Sequence, residues 1–137
     1  MSNITKTLSA ALVVALSGSA AFAAPPARVV GTWQVQLENE LETLVITSQG
    51  GPGAPGASLC RSVVGTIGIA PVRGYYCPGS GRIHFLHNNL SSGKTVRDFT
   101  GIVAEDEATN AVSMAGTFNI VYAAFGEFGE YPFSATK

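Results

Sequence analysis

Residues 59–77 restrict the fold more than any other stretch, because they specify a β-hairpin together with its register. Leu59 to Ile67 and Ala70 to Cys77 are two runs with strand character, separated by Gly68-Ile69. A glycine at the first of two central positions suits a type II′ loop, whose twist matches that of the strands it joins. Such a loop pairs residues whose numbers sum to 137, which sets Cys60 directly opposite Cys77. Counting outward from the turn makes 60/77 a non-hydrogen-bonded pair, with Cα atoms about 4.5 Å apart and within reach of a disulfide. The same register places Pro71, which has no N–H to donate, at another non-hydrogen-bonded position. Two independent constraints therefore agree on one pairing.

The rest of the chain repeats this strand-and-turn texture. Ala24 to Arg28 is a Pro-rich lead-in, and Val29 to Leu37 reads as a first strand. The polar turn Glu38-Asn39-Glu40 leads to a second strand, Leu41 to Ser48. Gln49 to Ser58 is a loop, since its Gly and Pro residues cannot hold a ladder. After the hairpin, strands are predicted at Arg82 to Asn88, Thr95 to Glu105, Ala111 to Ala124 and Tyr131 to Thr136. Eight short strands with turn-length connections and no helical period indicate an all-β fold. Barrel and sandwich both fit that pattern. Closure removes the unpaired edges that a flat meander exposes, so the expectation is an eight-stranded antiparallel up-and-down β-barrel.

The first residues point to export. Met1 to Lys6 is a short start with one positive charge, Leu8 to Leu16 is apolar, and Ala21-Phe22-Ala23 has the small-x-small pattern of a cleavage site. The apolar run is far short of the roughly 20 residues that span a bilayer. Residues 1–23 are therefore read as a cleaved signal peptide and 24–137 as the barrel domain, periplasmic or secreted. Two cysteines in an oxidising compartment suit one disulfide. Removal of Lys6 leaves seven Lys and Arg against nine Asp and Glu, with no basic run. That balance argues against nucleic acid, which is bound by neutralising phosphates. No later segment is apolar for long enough to be a membrane helix.

Several short motifs resemble one family. Gly31-Thr32-Trp33 resembles the Gly-x-Trp that opens the barrels of the calycin group, which includes lipocalins, fatty-acid-binding proteins and avidins. Phe99-Thr100-Gly101 looks like the sixth strand of avidins, where an aromatic followed by Thr or Ser and Gly walls the ligand site. Gly65-Thr66-Ile67 is similar to the Gly-Thr-Tyr of their third strand, and Gly129-Glu130-Tyr131-Pro132-Phe133 to the Gly-x-Asp/Asn-x-Phe of their last. Thr117-Phe118 stands about where their long seventh strand carries a Trp. The resemblance implies an avidin-like barrel that binds a small molecule, biotin or another, and assembles into dimers or tetramers.

Carried over residue by residue, the ligand site falls on Val35, Asn39, Ile67, His87, Ser91, Phe99, Phe118 and Tyr131. Val35 replaces an Asn that donates to the ureido oxygen of biotin, Ile67 replaces a Tyr, and Tyr131 an Asp or Asn. Asn39 takes the place of a Ser and retains a donor. The fifth-strand Trp has no match, with His87 or Asn88 nearest, and Ser91 and Ser92 match the serines that follow it. Each missing hydrogen bond removes about 1 to 3 kcal/mol, so the resemblance implies biotin binding that is weakened, altered or lost.

Other chemistries find little support. His84 and His87 are three apart on one strand and point to opposite faces, so they do not share a metal. No metal, cofactor or catalytic residue is expected. Glu38, Glu40 and Glu42 alternate along a turn and strand, and read as a solvated face. Ser91-Ser92 lacks a nucleophile elbow and a spaced acid–base partner. The aromatics spread over most strands suit either a filled core or a pocket for a flat ligand. The apolar run Ile120 to Phe125 breaks alternation, which reads as burial on both faces and a subunit interface. Two functions compete: a non-catalytic small-ligand-binding barrel, and an exported protein-interaction module such as a protease or lysozyme inhibitor. In the second, the Gly50 to Gly56 loop or the proline-rich N-terminus would be the inserting element.

Overall fold

The computed structural model describes residues 23–51, 59–88, 95–123 and 128–137. Its strands are β1 (Gly31–Gln36), β2 (Leu41–Gln49), β3 (Arg61–Ile67), β4 (Ala70–Cys77), β5 (Arg82–Asn88), β6 (Thr95–Glu105), β7 (Val112–Ala123) and β8 (Glu130–Thr136). They form a closed barrel in sequence order. β8 returns to β1 through Gln34↔Thr136, Val35↔Ala135 and Gln36↔Ser134, so no edge is left open. The segment read as a signal peptide lies outside the described residues, apart from Ala23.

The predicted hairpin is present with its predicted register, from Ile67↔Ala70 through Thr66↔Pro71 to Arg61↔Tyr76. Gly68 has φ +58°, while Ile69 stays in the ordinary negative region, as a type II′ loop requires. Cys60 and Cys77 form a disulfide with Cα atoms 3.9 Å apart. Strand positions follow the apolar pattern closely, but two ends differ by two residues. Val29 and Val30 precede β1 rather than belonging to it, and Leu59 is 77% exposed outside β3.

Alternation sorts the side chains. Trp33 and Val35 of β1, Leu44 and Ile46 of β2, and Val63 and Ile67 of β3 point inward, with Thr32, Gln34 and Gln36 outside. The interior between β5 and β8 is packed by aromatic rings. Phe85 stacks on Phe99 at 4.7 Å, Phe99 on Phe118 at 5.1 Å and Phe118 on Tyr131 at 5.4 Å. Phe133 meets Phe99 edge-on at 5.1 Å. Its ring reaches in because Gly101 lacks a side chain: a Cβ there would stand 3.1 Å from Phe133 Cζ.

On β7, Val121 and Tyr122 are 52% and 50% exposed in the single chain, so the barrel itself does not cover the outer face of that run. Opposite this point the register shifts: Val96 pairs with Tyr122 and Arg97 with Ile120. The shift leaves Val121 as the extra residue of a bulge, and this broke the alternation in sequence. Residues 124 and 125 of that run lie outside the described residues.

Candidate functional site

An up-and-down barrel has two ends, and here they are finished differently. The odd-to-even connections, β1–β2, β3–β4, β5–β6 and β7–β8, gather at one end. At the other end the proline-rich segment of residues 24–30 crosses the opening. Its carbonyls accept from four strands: Glu105 N to Ala24 O at 2.7 Å, Tyr76 Oη to Pro26 O at 2.6 Å, Gln49 Nε2 to Ala27 O at 3.0 Å and Trp33 Nε1 to Val29 O at 2.9 Å. Gln49 also accepts from Val29 N at 2.9 Å. Burial, and then the charge of Glu105, push the Tyr76 hydroxyl up to about 12. This end is sealed.

The opposite end is a mouth. A cavity of about 700 Å³ is lined there by Glu40, Glu42, Ile67, Ala70, His87, Thr95 and Arg97. A neighbouring hollow of about 200 Å³ is lined by Leu37, Asn39, Phe118, Ile120 and Tyr131, and shares Arg97 and Glu40 with the first. Arg97 divides the two. Its Nη1 donates to Glu42 Oε1 at 3.1 Å, its Nη2 lies 3.8 Å from Glu40 Oε2, and its guanidinium sits 5.7 Å from the centre of the Phe118 ring. β6 and β2 stand on opposite sides of an eight-stranded barrel, so the Arg97–Glu42 pair spans the lumen like a crossbar. Glu40 is held by a tight turn in which Leu37 N donates to Glu40 O at 2.8 Å.

Directly opposite Arg97 on β5 is His87, only 3% exposed. Neither ring nitrogen has a hydrogen-bond partner among the described residues, and Arg97 Nε is also buried without one. Burial, and secondly the charge of Arg97, lower the pKa of His87 to about 4, against a smaller opposing pull from the Ile67 backbone, which lies beside the ring but outside good hydrogen-bonding geometry. The imidazole is therefore neutral at ordinary pH, with one donor and one acceptor nitrogen.

The structure divides the residues expected at the site. Ile67, His87, Phe118, Tyr131 and the exposed Asn39 meet at the mouth. Val35 and Phe99 line neither hollow and are fully buried, because the aromatic stack fills the interior at their level. Ser91 lies outside the described residues. Sequence reasoning missed Glu42 and Arg97. Glu42 pairs with inward-facing Val35 and so faces the lumen, which corrects its reading as part of a solvated face. Counting back by twos from the apolar pair Leu44 and Ile46 carries the same signal. His84 points outward, on the opposite face from His87 as expected, and its Nε2 lies 2.6 Å from Asp98 Oδ1.

No known family, curated protein or solved structure matches the chain.

Proposed function

We propose that the protein is an exported, non-catalytic small-ligand-binding barrel, avidin-like in architecture, whose ligand site is the mouth rather than the filled interior. The observation that carries this reading is His87, a polar side chain buried at a mouth whose opposite end is closed. Unpaired buried polar groups are costly, and retaining them where a cavity opens is characteristic of a binding site. The filled interior around Val35 and Phe99 supports loss or severe weakening of biotin binding. A disulfide suits a periplasmic or secreted location. Exposed Val121 and Tyr122 supply an apolar surface for a dimer or tetramer.

The test is a thermal-shift screen with a chemically mixed set of small molecules, biotin included. A ligand raises the unfolding midpoint by mass action, and Thr95→Trp, which plugs the mouth from its rim, abolishes that rise. If no small molecule shifts the midpoint, the proposal fails.

A second reading has its own support. Ile69 is 94% exposed, Leu41 67% and Phe128 66%, all on loops or strand ends at the mouth. Such a rim suits a protein partner, for instance a hydrolase held in inhibition. The proline-rich N-terminus is engaged in closing the far end, so the rim is the better inserting element. Most of the Gly50 to Gly56 loop lies outside the described residues. Inhibition of lysozyme or a protease that is lost on Ile69→Asp would favour this reading.

A further inference from the structure

We infer that the mouth takes a neutral polyhydroxylated ligand, a mono- or oligosaccharide; this rests on the mouth being the ligand site. The inference comes from what the wall can and cannot satisfy. Donors and acceptors are interleaved there: Arg97 offers N–H groups, Glu40 and Glu42 offer carboxylate oxygens, and neutral His87 offers one of each.

Each ligand class meets this wall differently. A carboxylate or phosphate is drawn to Arg97 but must approach Glu40 and Glu42, which already hold that guanidinium. An ammonium is drawn to the two glutamates and repelled by Arg97 between them. Both simple ions therefore compete with an ion pair that is already formed. An apolar ligand leaves the polar wall desolvated and unpaired, at a cost for each group. A hydroxyl group donates and accepts at once, so adjacent hydroxyls can satisfy both kinds of group without net charge.

The neighbouring hollow supplies what a sugar also needs. Tyr131, half-buried and stacked at 5.4 Å on a Phe118 ring that Phe99 covers from its other side, brings an aromatic surface to that hollow beside the shared Arg97. The C–H face of a pyranose ring is apolar and lies against such a surface. The larger cavity, about 700 Å³, falls within the range of roughly 300–1,000 Å³ usual for small-molecule sites.

The experiment is a titration of the isotopically labelled protein, followed by NMR. The probes are glucose, galactose, N-acetylglucosamine and their β-1,4-linked disaccharides, with biotin, octanoate and agmatine as amide-bearing, anionic and cationic comparators. The expected result is saturable shifts at His87, Arg97 and the Gly68 amide with at least one sugar. Glu42→Gln should weaken that binding about tenfold. Glu40→Gln, at a side chain 63% exposed, should weaken it without endangering the fold. Saturation by biotin, octanoate or agmatine with no response to any sugar would overturn the ligand class and leave the mouth as a site. Silence from every probe at these residues would overturn both readings.

Discussion

The two ends of this barrel are made from the same alternating strands, yet their inward polar groups fare oppositely. At the sealed end, Trp33 Nε1 and Tyr76 Oη each reach a backbone carbonyl of residues 24–30, and the disulfide fastens β3 to β4 beside them. At the mouth, the His87 nitrogens and Arg97 Nε are buried without hydrogen-bond partners among the described residues. Local stability differs across folded proteins, and binding elements are drawn from its lower end. On the proposed reading, structural work falls to one end and ligand binding to the other.

The largest effect should come from the sealed end. Trp33 is fully buried, and Trp33→Ala should cost about 3–5 kcal/mol in urea unfolding. Tyr131→Ala, at a half-buried position in the mouth, should cost less than about 2 kcal/mol. Equal costs would erase the distinction between the ends. Next comes the disulfide. It closes a loop of about 16 residues, worth on the order of 3 kcal/mol, so Cys60→Ser with Cys77→Ser should lower the unfolding midpoint accordingly.

The two ends should also respond at opposite ends of the pH scale. His87 has a folded pKa of about 4 against 6.5 when free, so the unfolded chain binds the extra proton between those values. Stability therefore falls as pH drops from 6.5 to 4, by up to about 3 kcal/mol. His87→Leu should flatten that acid limb. Tyr76 behaves inversely: its folded pKa of about 12 exceeds the free value of 10.0, so the folded state keeps the proton longer. Stability falls as pH rises from 10 to 12, by about 3 kcal/mol, and Tyr76→Phe should remove that slope. The Phe variant also leaves the Pro26 carbonyl without its donor, which costs about 1–3 kcal/mol at neutral pH. Equilibrium unfolding across the pH range reads both limbs.

What could be read from sequence follows the same division between local and distant. The hairpin at 61–77 was legible to the residue because a two-residue turn fixes its register. Strand positions were legible because alternation has a period of two. The crossbar was not, since Arg97 and Glu42 are 55 residues apart and meet only once closure sets β6 across from β2. Phe99 shows the same dependence on distant registers. Its local motif suggested a ligand wall, but neighbouring Phe85 and Phe118 rings sandwich it, and those contacts depend on registers across three strands. The capping by residues 24–30 was also out of reach, because a proline-rich stretch specifies an extended chain but not what it crosses.

The smallest predicted effect is the most direct probe of what the mouth is for. The Arg97 and Glu42 side chains are 18% and 24% exposed, so their pair is partly desolvated. Such a pair gains little over apolar residues of similar size, because each charge has surrendered solvation to make it. Glu42→Leu alone leaves Arg97 with only the longer contact to Glu40 and should destabilise the fold. Adding Arg97→Met removes the stranded charge and should restore stability to within about 1 kcal/mol of the parent. Urea midpoints of the two singles and the double measure this directly. A double variant about as unstable as the Glu42→Leu single would mean that the crossbar braces the barrel, as residues 24–30 do at the other end. A double variant that is stable but has lost its ligand would show that the mouth keeps its charges for recognition, at no benefit to the fold.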